Sequence, residues 1–286
     1  MTDVETFFAR ADRLLQRWER LLDGTPTAST DWTHDAYRWR HDRLGTRLQP
    51  VRRPHRVVLD DLLCMERQKN ELVRNTRQFM DGRPANNALL WGARGTGKST
   101  LIKAVFNHFA ARGLRLIEVE KAHLVDLPDI VDALDERGER FLLFCDDLSF
   151  DADDSGYKAL KAVLEGSIAA PADNLLIYAS SNRRHLLPEP TSDNQDARVV
   201  DGELHPGESI EEKISLSERF GLWLSFYPFD QDEYLAIVEH WLRRFEAGSC
   251  DNEETRLAAL RWARLRGSRS GRVARQFAID RVGRHA

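Results

Sequence analysis

The chain has 286 residues, enough for one large domain or a core with a small companion. Its 42% hydrophobic and 31% charged residues suit a soluble globular protein and argue against wholesale disorder. Lysine and arginine number 42 against 46 acids, a net charge of −4, so bulk charge gives no reason to expect non-specific binding to nucleic acid. No apolar run reaches the ~18 residues of a membrane span. Met1 to Arg20 mixes acids and arginines where a secretory signal would be apolar. The three cysteines, Cys64, Cys145 and Cys250, are far apart and odd in number, which offers no disulfide framework or zinc-ligand pair; a cytoplasmic location is expected.

Residues 1–22 predict an amphipathic helix, with Val4, Phe7, Phe8, Ala11, Leu14, Leu15, Trp18 and Leu21 at helical spacing, ended by Asp23-Gly24-Thr25-Pro26. The stretch 31–56 is dense in Trp and Arg (Trp32, Arg38, Trp39, Arg40) and reads as a packing surface ahead of a polyanion contact. Together 1–56 are expected to form a helical N-terminal extension. From residue 57 to 228, strand and helix signals alternate. Ala88–Trp91, Leu114–Val119, Phe141–Cys145, Leu175–Ala179 and Leu222–Tyr227 are apolar runs, and 98–112, 127–136 and 157–169 carry helical periodicity. Alternation of this kind predicts an α/β core with a parallel sheet covered on both faces. Residues 188–212, rich in Pro, Gly and acids, read as a mobile surface excursion. After Pro228 the chain reads as all-helical through 229–286. Residues 243–286 hold eleven arginines against five acids, a local net charge of +6.

Gly92-Ala93-Arg94-Gly95-Thr96-Gly97-Lys98-Ser99 fits G-x-x-x-x-G-K-[ST], with an apolar strand before it and the amphipathic helix of 98–112 after it, and Thr100 is expected to bind the nucleotide beside Ser99. Glycines let successive N–H groups face phosphate oxygens, and the helix adds its positive end. Lys98 supplies a point charge to the β- and γ-phosphates, and the Ser99 hydroxyl completes a Mg²⁺ shell. The expected ligands are therefore ATP and Mg²⁺. Asp146 and Asp147 follow a buried strand. Asp146 is assigned to the Mg²⁺ side, and Asp147 to orienting or deprotonating the attacking water. Asn182, after the strand ending at Ala179, is placed to hydrogen-bond that water or the γ-phosphate without adding charge.

Taken together, GARGTGKS, FLLFCDD and IYASSN are similar to the Walker A, Walker B and sensor 1 series of AAA+ ATPases. More narrowly, FCDDLSF, YASSNRRHLLPE, SLSERFGLWLSFYPFDQDEYL and GSRSGRVARQF resemble an uncharacterised bacterial family of ATP-binding proteins, from about residue 57 to the end. The resemblance implies a P-loop NTPase core with a C-terminal helical lid. It implies that Arg219, in Leu216-Ser217-Glu218-Arg219-Phe220, is an arginine finger reaching a neighbouring subunit's nucleotide, with a surface ion pair as its alternative. Arg272 is implied as sensor 2, with Arg275 as its rival on the same helix face. Val58–Lys69 resembles the adenine-side segment, with Cys64 where such motifs prefer Gly. Asp147 stands where most AAA+ proteins have Glu, so modest hydrolysis is expected. The leading expectation is an ATPase that assembles with copies of itself and remodels an unknown protein client. A nucleic-acid-loading ATPase and a slow-hydrolysing nucleotide-gated scaffold are alternatives, and a small-molecule kinase is a weaker one. A loop at 150–156 lies where pore loops occur in kin, with Phe150 as its one large apolar residue; no pore is assigned.

Overall fold

The computed structural model describes residues 10, 12–13, 15, 30–42, 45–135, 137–150, 154–165, 173–184, 186, 198–200, 203–205, 216–245 and 252–285. Nine strands and seven α-helices are described: β1 (Ala36–Asp42), β2 (Gly45–Pro50), α1 (Glu66–Met80), β3 (Ala88–Gly92), α2 (Lys98–Ala110), β4 (Leu114–Val119), α3 (Leu127–Asp135), β5 (Arg140–Cys145), α4 (Ser155–Glu165), β6 (Leu175–Ser181), β7 (Arg198–Val200), β8 (Glu203–His205), β9 (Leu222–Phe226), α5 (Gln231–Arg244), α6 (Glu253–Leu265) and α7 (Gly271–His285). Short 3₁₀ turns lie at Leu59–Asp61 and Lys121–Asp126.

Seven strands form one sheet in the order β2-β1-β4-β5-β6-β3-β9. All neighbours are parallel except β2, which runs antiparallel to β1. Burial on both faces explains the unbroken apolar runs: in β5, Phe141 to Cys145 are all fully buried. Alternation along that strand sends Leu142 and Phe144 into one core with Leu101, Val105 and Phe106 of α2. Phe141, Leu143 and Cys145 enter the other, with Ile130 and Leu134 of α3 and Leu160 of α4. Burial of each such side chain contributes roughly 1.5–3 kcal/mol.

The helical N-terminal extension expected over 1–56 is corrected in its second half. Residues 36–42 and 45–50 form an antiparallel strand pair that widens the sheet, because Tyr37 and Trp39 are fully buried on one face while Arg38 and Arg40 point to the other. Those arginines pair with acids on β4 and just beyond its end: Arg38 with Glu118 at 2.7 Å and Arg40 with Glu120 at 2.9 Å. The Trp/Arg density is thus a packing surface. Of the helix expected at 1–22, residues 10, 12, 13 and 15 are helical and the rest lies outside the described residues. The same holds for most of 188–212, where the described part is the small β7–β8 hairpin.

The C-terminal helices form a lid. A capping box opens α5, with Asp230 accepting from the Glu233 N–H and Glu233 from the Asp230 N–H. Tyr234 donates to the Ala259 carbonyl at 3.1 Å and so fixes α5 to α6. Among the described residues no helix is long and apolar enough to cross a membrane.

A buried polar knot seats α1 against the strands that carry the site. The Asn75 amide donates to the Asn86 carbonyl (2.8 Å) and to the Tyr178 hydroxyl (3.0 Å), and its oxygen accepts from the Asn86 N–H (3.0 Å). Burial pushes the Tyr178 phenol up to about 12, against the pull of Thr76 and Asn75, so it stays a neutral donor. Replacing Asn75 with alanine orphans the Asn86 groups just ahead of β3. A loss of about 2–3 kcal/mol is expected, read as a shift of the urea midpoint.

Candidate functional site

The parallel register brings the C-terminal ends of β3, β5 and β6 side by side. Trp91 is level with Ser181, and Cys145 with Ala179, so the segments that follow these strands converge. The turn after β3 needs its glycines. Gly92, Gly95 and Gly97 hold φ of 133°, 77° and 100°, where a side chain is strained. A Cβ on Gly92 would lie 1.9 Å from the Phe226 carbonyl oxygen, one on Gly95 2.8 Å from Ser270 Oγ, and one on Gly97 2.9 Å from Met65 Cε.

Lys98, in the first turn of α2, is 6% exposed and donates to three oxygens: Gly92 O (2.8 Å), Ala93 O (2.7 Å) and Asn182 Oδ1 (3.1 Å). Burial lowers its pKa, opposed by the negative field of Asp147 and Asp146. Ser99 Oγ donates to Asp146 Oδ1 at 2.5 Å. The Asn182 amide donates to Asp147, so lysine, amide and carboxylate form one chain across the site. The structure therefore brings together Lys98, Ser99, Asp146, Asp147 and Asn182.

One further residue belongs to this group. Ser180 Oγ donates to Asp146 Oδ1 (2.6 Å) and accepts from the Asp147 N–H (3.0 Å), so a single hydroxyl sets both acids. Asp147 adopts a left-handed φ of 51°, a conformation Asp tolerates better than most residues. The signal for Ser180 in the sequence is strand alternation, which puts it on the same face as Asn182. Ser181 turns the other way and donates to the Leu148 carbonyl at 2.7 Å.

These residues line a cavity of about 880 Å³, with the core on one side and the lid on the other. Arg94, Gly95, Thr96, Gly97, Ser99 and Thr100 edge it, and Val57, Leu62, Met65, Phe229 and Ile237 form an apolar end. Arg272 and Arg275 both reach it from α7. The Arg272 Cβ lies 3.9 Å from where a Cβ on Gly95 would sit, whereas Arg275 stacks 5.2 Å from the Trp241 ring centroid and 5.8 Å from that of Phe245. Cys64 holds φ of 60°, the left-handed turn for which glycine is usual. Asp61 is shared by His240 Nε2 and Arg244 Nε, each at 3.1 Å, and so ties the segment before α1 to the lid. Arg219 lies outside this cavity; it pairs with Glu165 at the end of α4, while Leu216, Ser217 and Phe220 anchor its motif in the core. Phe150 is buried, edge-on to Tyr157 at 5.8 Å, and is a core residue.

The set fits a magnesium nucleotide. Hard oxygens of Ser99 and Asp146 meet within hydrogen-bonding distance of each other, as a shared cation requires, and the turn lacks side chains where a phosphate must approach. Gly92→Ala tests the tightest point of that turn. Overlap with the Phe226 backbone is expected to cost about 3–5 kcal/mol in urea unfolding. Gly113→Ala, at φ 95° with nothing within 4 Å, is expected to cost only the strain of about 1–2 kcal/mol.

Solved structures share this architecture. A point variant of Thermotoga maritima RuvB matches with a TM-score of 0.51 at 16% identity, covering 77% of this chain and 62% of that one. A second RuvB variant matches at 0.52 and 18% identity, covering 77% and 63%. Aeropyrum pernix Orc1, solved with DNA, matches at 0.50 and 16%, covering 74% and 57%. The chain thus spans less than two thirds of each neighbour, and at these identities the likeness is one of fold, that of AAA+ proteins. No curated protein matches the sequence. Residues 32–285 match DUF815, a family described as a protein of unknown function, and the chain belongs to that family.

Proposed function

We propose that the protein binds ATP with Mg²⁺ in the cavity between core and lid and hydrolyses it at an interface between copies of the chain. The observation that carries this reading is the chain of contacts Lys98–Asn182–Asp147, beside the Ser99–Asp146–Ser180 cluster, at the ends of three adjacent parallel strands.

The residues take distinct roles. The N–H groups of 93–99 and the start of α2 hold the phosphates, and Lys98 exchanges its carbonyl partners for phosphate oxygens. Ser99 and Asp146 would hold Mg²⁺, which when bound would neutralise phosphate charge. Ser180 keeps Asp146 aimed. Asp147 accepts the proton of the attacking water, and Asn182 positions both. Arg272, beside Gly95, is the lid arginine for phosphate. Arg275, held on Trp241 and Phe245, serves the base side. Arg219 is the finger offered to the next copy, with Glu165 holding it until that contact forms.

The arginine count of the lid supports ATP over nucleic acid. Arg244, Arg272 and Arg275 line the cavity, and Arg243, Arg256 and Arg284 pair with Glu239, Asp232 and Asp280. Much of the local excess of positive charge is thereby engaged.

Lys98→Ala is expected to abolish ATP binding. Asp147→Asn is expected to retain binding while turnover falls at least ~10²-fold. Calorimetric titration and phosphate release check the pair, and wild-type behaviour in both would remove the reading. Arg219→Ala is expected to cost about 10³-fold in turnover. Mixing it with Asp147→Asn should restore part of the activity, because a site with an intact Asp147 then meets an intact Arg219. A mixture no more active than its parts would mean that Arg219 does not act across an interface.

A further inference from the structure

We infer that His41, His123 and Asp126 form a transition-metal site, of the kind suited to Zn²⁺, at the end of the sheet that carries the N-terminal hairpin. Two backbone periods produce it. Along β1 the period of two puts His41 on the same face as buried Tyr37 and Trp39. The strand pairs with β4 only through Arg38, opposite Glu118, and then runs on beyond that partner. The 3₁₀ turn Lys121–Asp126 starts where β4 ends, and in such a turn residues three apart eclipse, so His123 and Asp126 share one side. The overhanging strand thereby delivers a third ligand to a pair already aligned.

The geometry is that of a ligand set. One donor atom from each residue lies within 4.8 Å of the other two, and His123 Nδ1 is 4.0 Å from Asp126 Oδ2. The two imidazole planes are 5° from parallel, with centroids 6.2 Å apart. Metal bonds of about 2.0–2.1 Å require the three donors to draw closer, and exposed His41 has room for that adjustment. Asp126 is also held from behind. The Trp39 indole N–H donates to its Oδ2 at 2.9 Å, the type of outer hydrogen bond that orients a ligating carboxylate. His123 and Asp126 are 21% and 17% exposed, so the inner wall is sheltered and the outer position is open to a water as fourth ligand.

The donor chemistry selects the ion. Two imidazoles and one carboxylate suit zinc and its neighbours, whereas Mg²⁺ and Ca²⁺ need an all-oxygen set. None of the three residues lines the nucleotide cavity, so this site is separate from the Mg²⁺ proposed there. Bound metal would clamp the added hairpin to the turn that follows β4.

The test uses the full chain without an affinity tag. Titration with Zn²⁺ alone is expected to show one equivalent per chain, and Co²⁺ should give the visible absorption of a tetrahedral site. His41→Ala, at an exposed position, and Asp126→Asn, which keeps an acceptor for the indole, are each expected to weaken binding at least tenfold while ATP binding is unchanged. Absence of a stoichiometric Zn²⁺ equivalent in the wild type would overturn the site. Uptake that both variants retain at wild-type affinity belongs to other histidines and would overturn it equally.

Discussion

Gly92 and Phe226 approach so closely that a single added carbon would occupy the carbonyl oxygen of β9. That contact joins two things the fold must hold in register. It fixes where the glycine-rich turn leaves the sheet, with the Ala93 N–H donating to the same Phe226 carbonyl at 3.0 Å. It also fixes where β9 ends and the chain departs for the lid. Turn and lid thus meet at one backbone contact, and the start of α7 also lies against Gly95.

The acids depend on a second device of the same economy. A serine hydroxyl has one proton to give and lone pairs to receive, and Ser180 uses both, giving to Asp146 and receiving from the backbone of Asp147. Two neighbouring carboxylates are thus held in different surroundings, one beside Ser99 and one beside Asn182. Division of labour between adjacent acids needs such an asymmetry, and here it arises from side chains on β6 and the start of α2.

Much of this is legible in the sequence. Apolar runs such as Phe141–Cys145 cannot be half-exposed strands, and the glycine-rich turn between Trp91 and Lys98 has few other uses. The strand pair of 36–42 and 45–50 is harder to read. Its alternation of Tyr37, Trp39 and His41 with Arg38 and Arg40 is a strand pattern, but the arginines find their acids on β4 and just past its end, about eighty residues away, and pairing at that distance leaves no local mark. Ser180 is visible as a residue but not as a link, since only the three-dimensional register shows which of two serines faces Asp146. Cys64 shows the limit of residue preference: the chain takes a left-handed turn there without the glycine that usually permits it. The place of Arg219 is a different matter, because its proposed role depends on a second copy of the chain.

Asp61 carries a mechanical consequence. One carboxylate, 10% exposed, answers two side chains of α5, His240 and Arg244, from the segment that borders the apolar end of the cavity. Rotation of the lid relative to the sheet must stretch or exchange these bonds. Whatever fills the cavity and whatever turns the lid then act on the same equilibrium, and linkage makes the effect of each on the other equal in free energy. The Asp61 contact is in this sense a two-way transmission, built from one carboxylate and its two partners on α5.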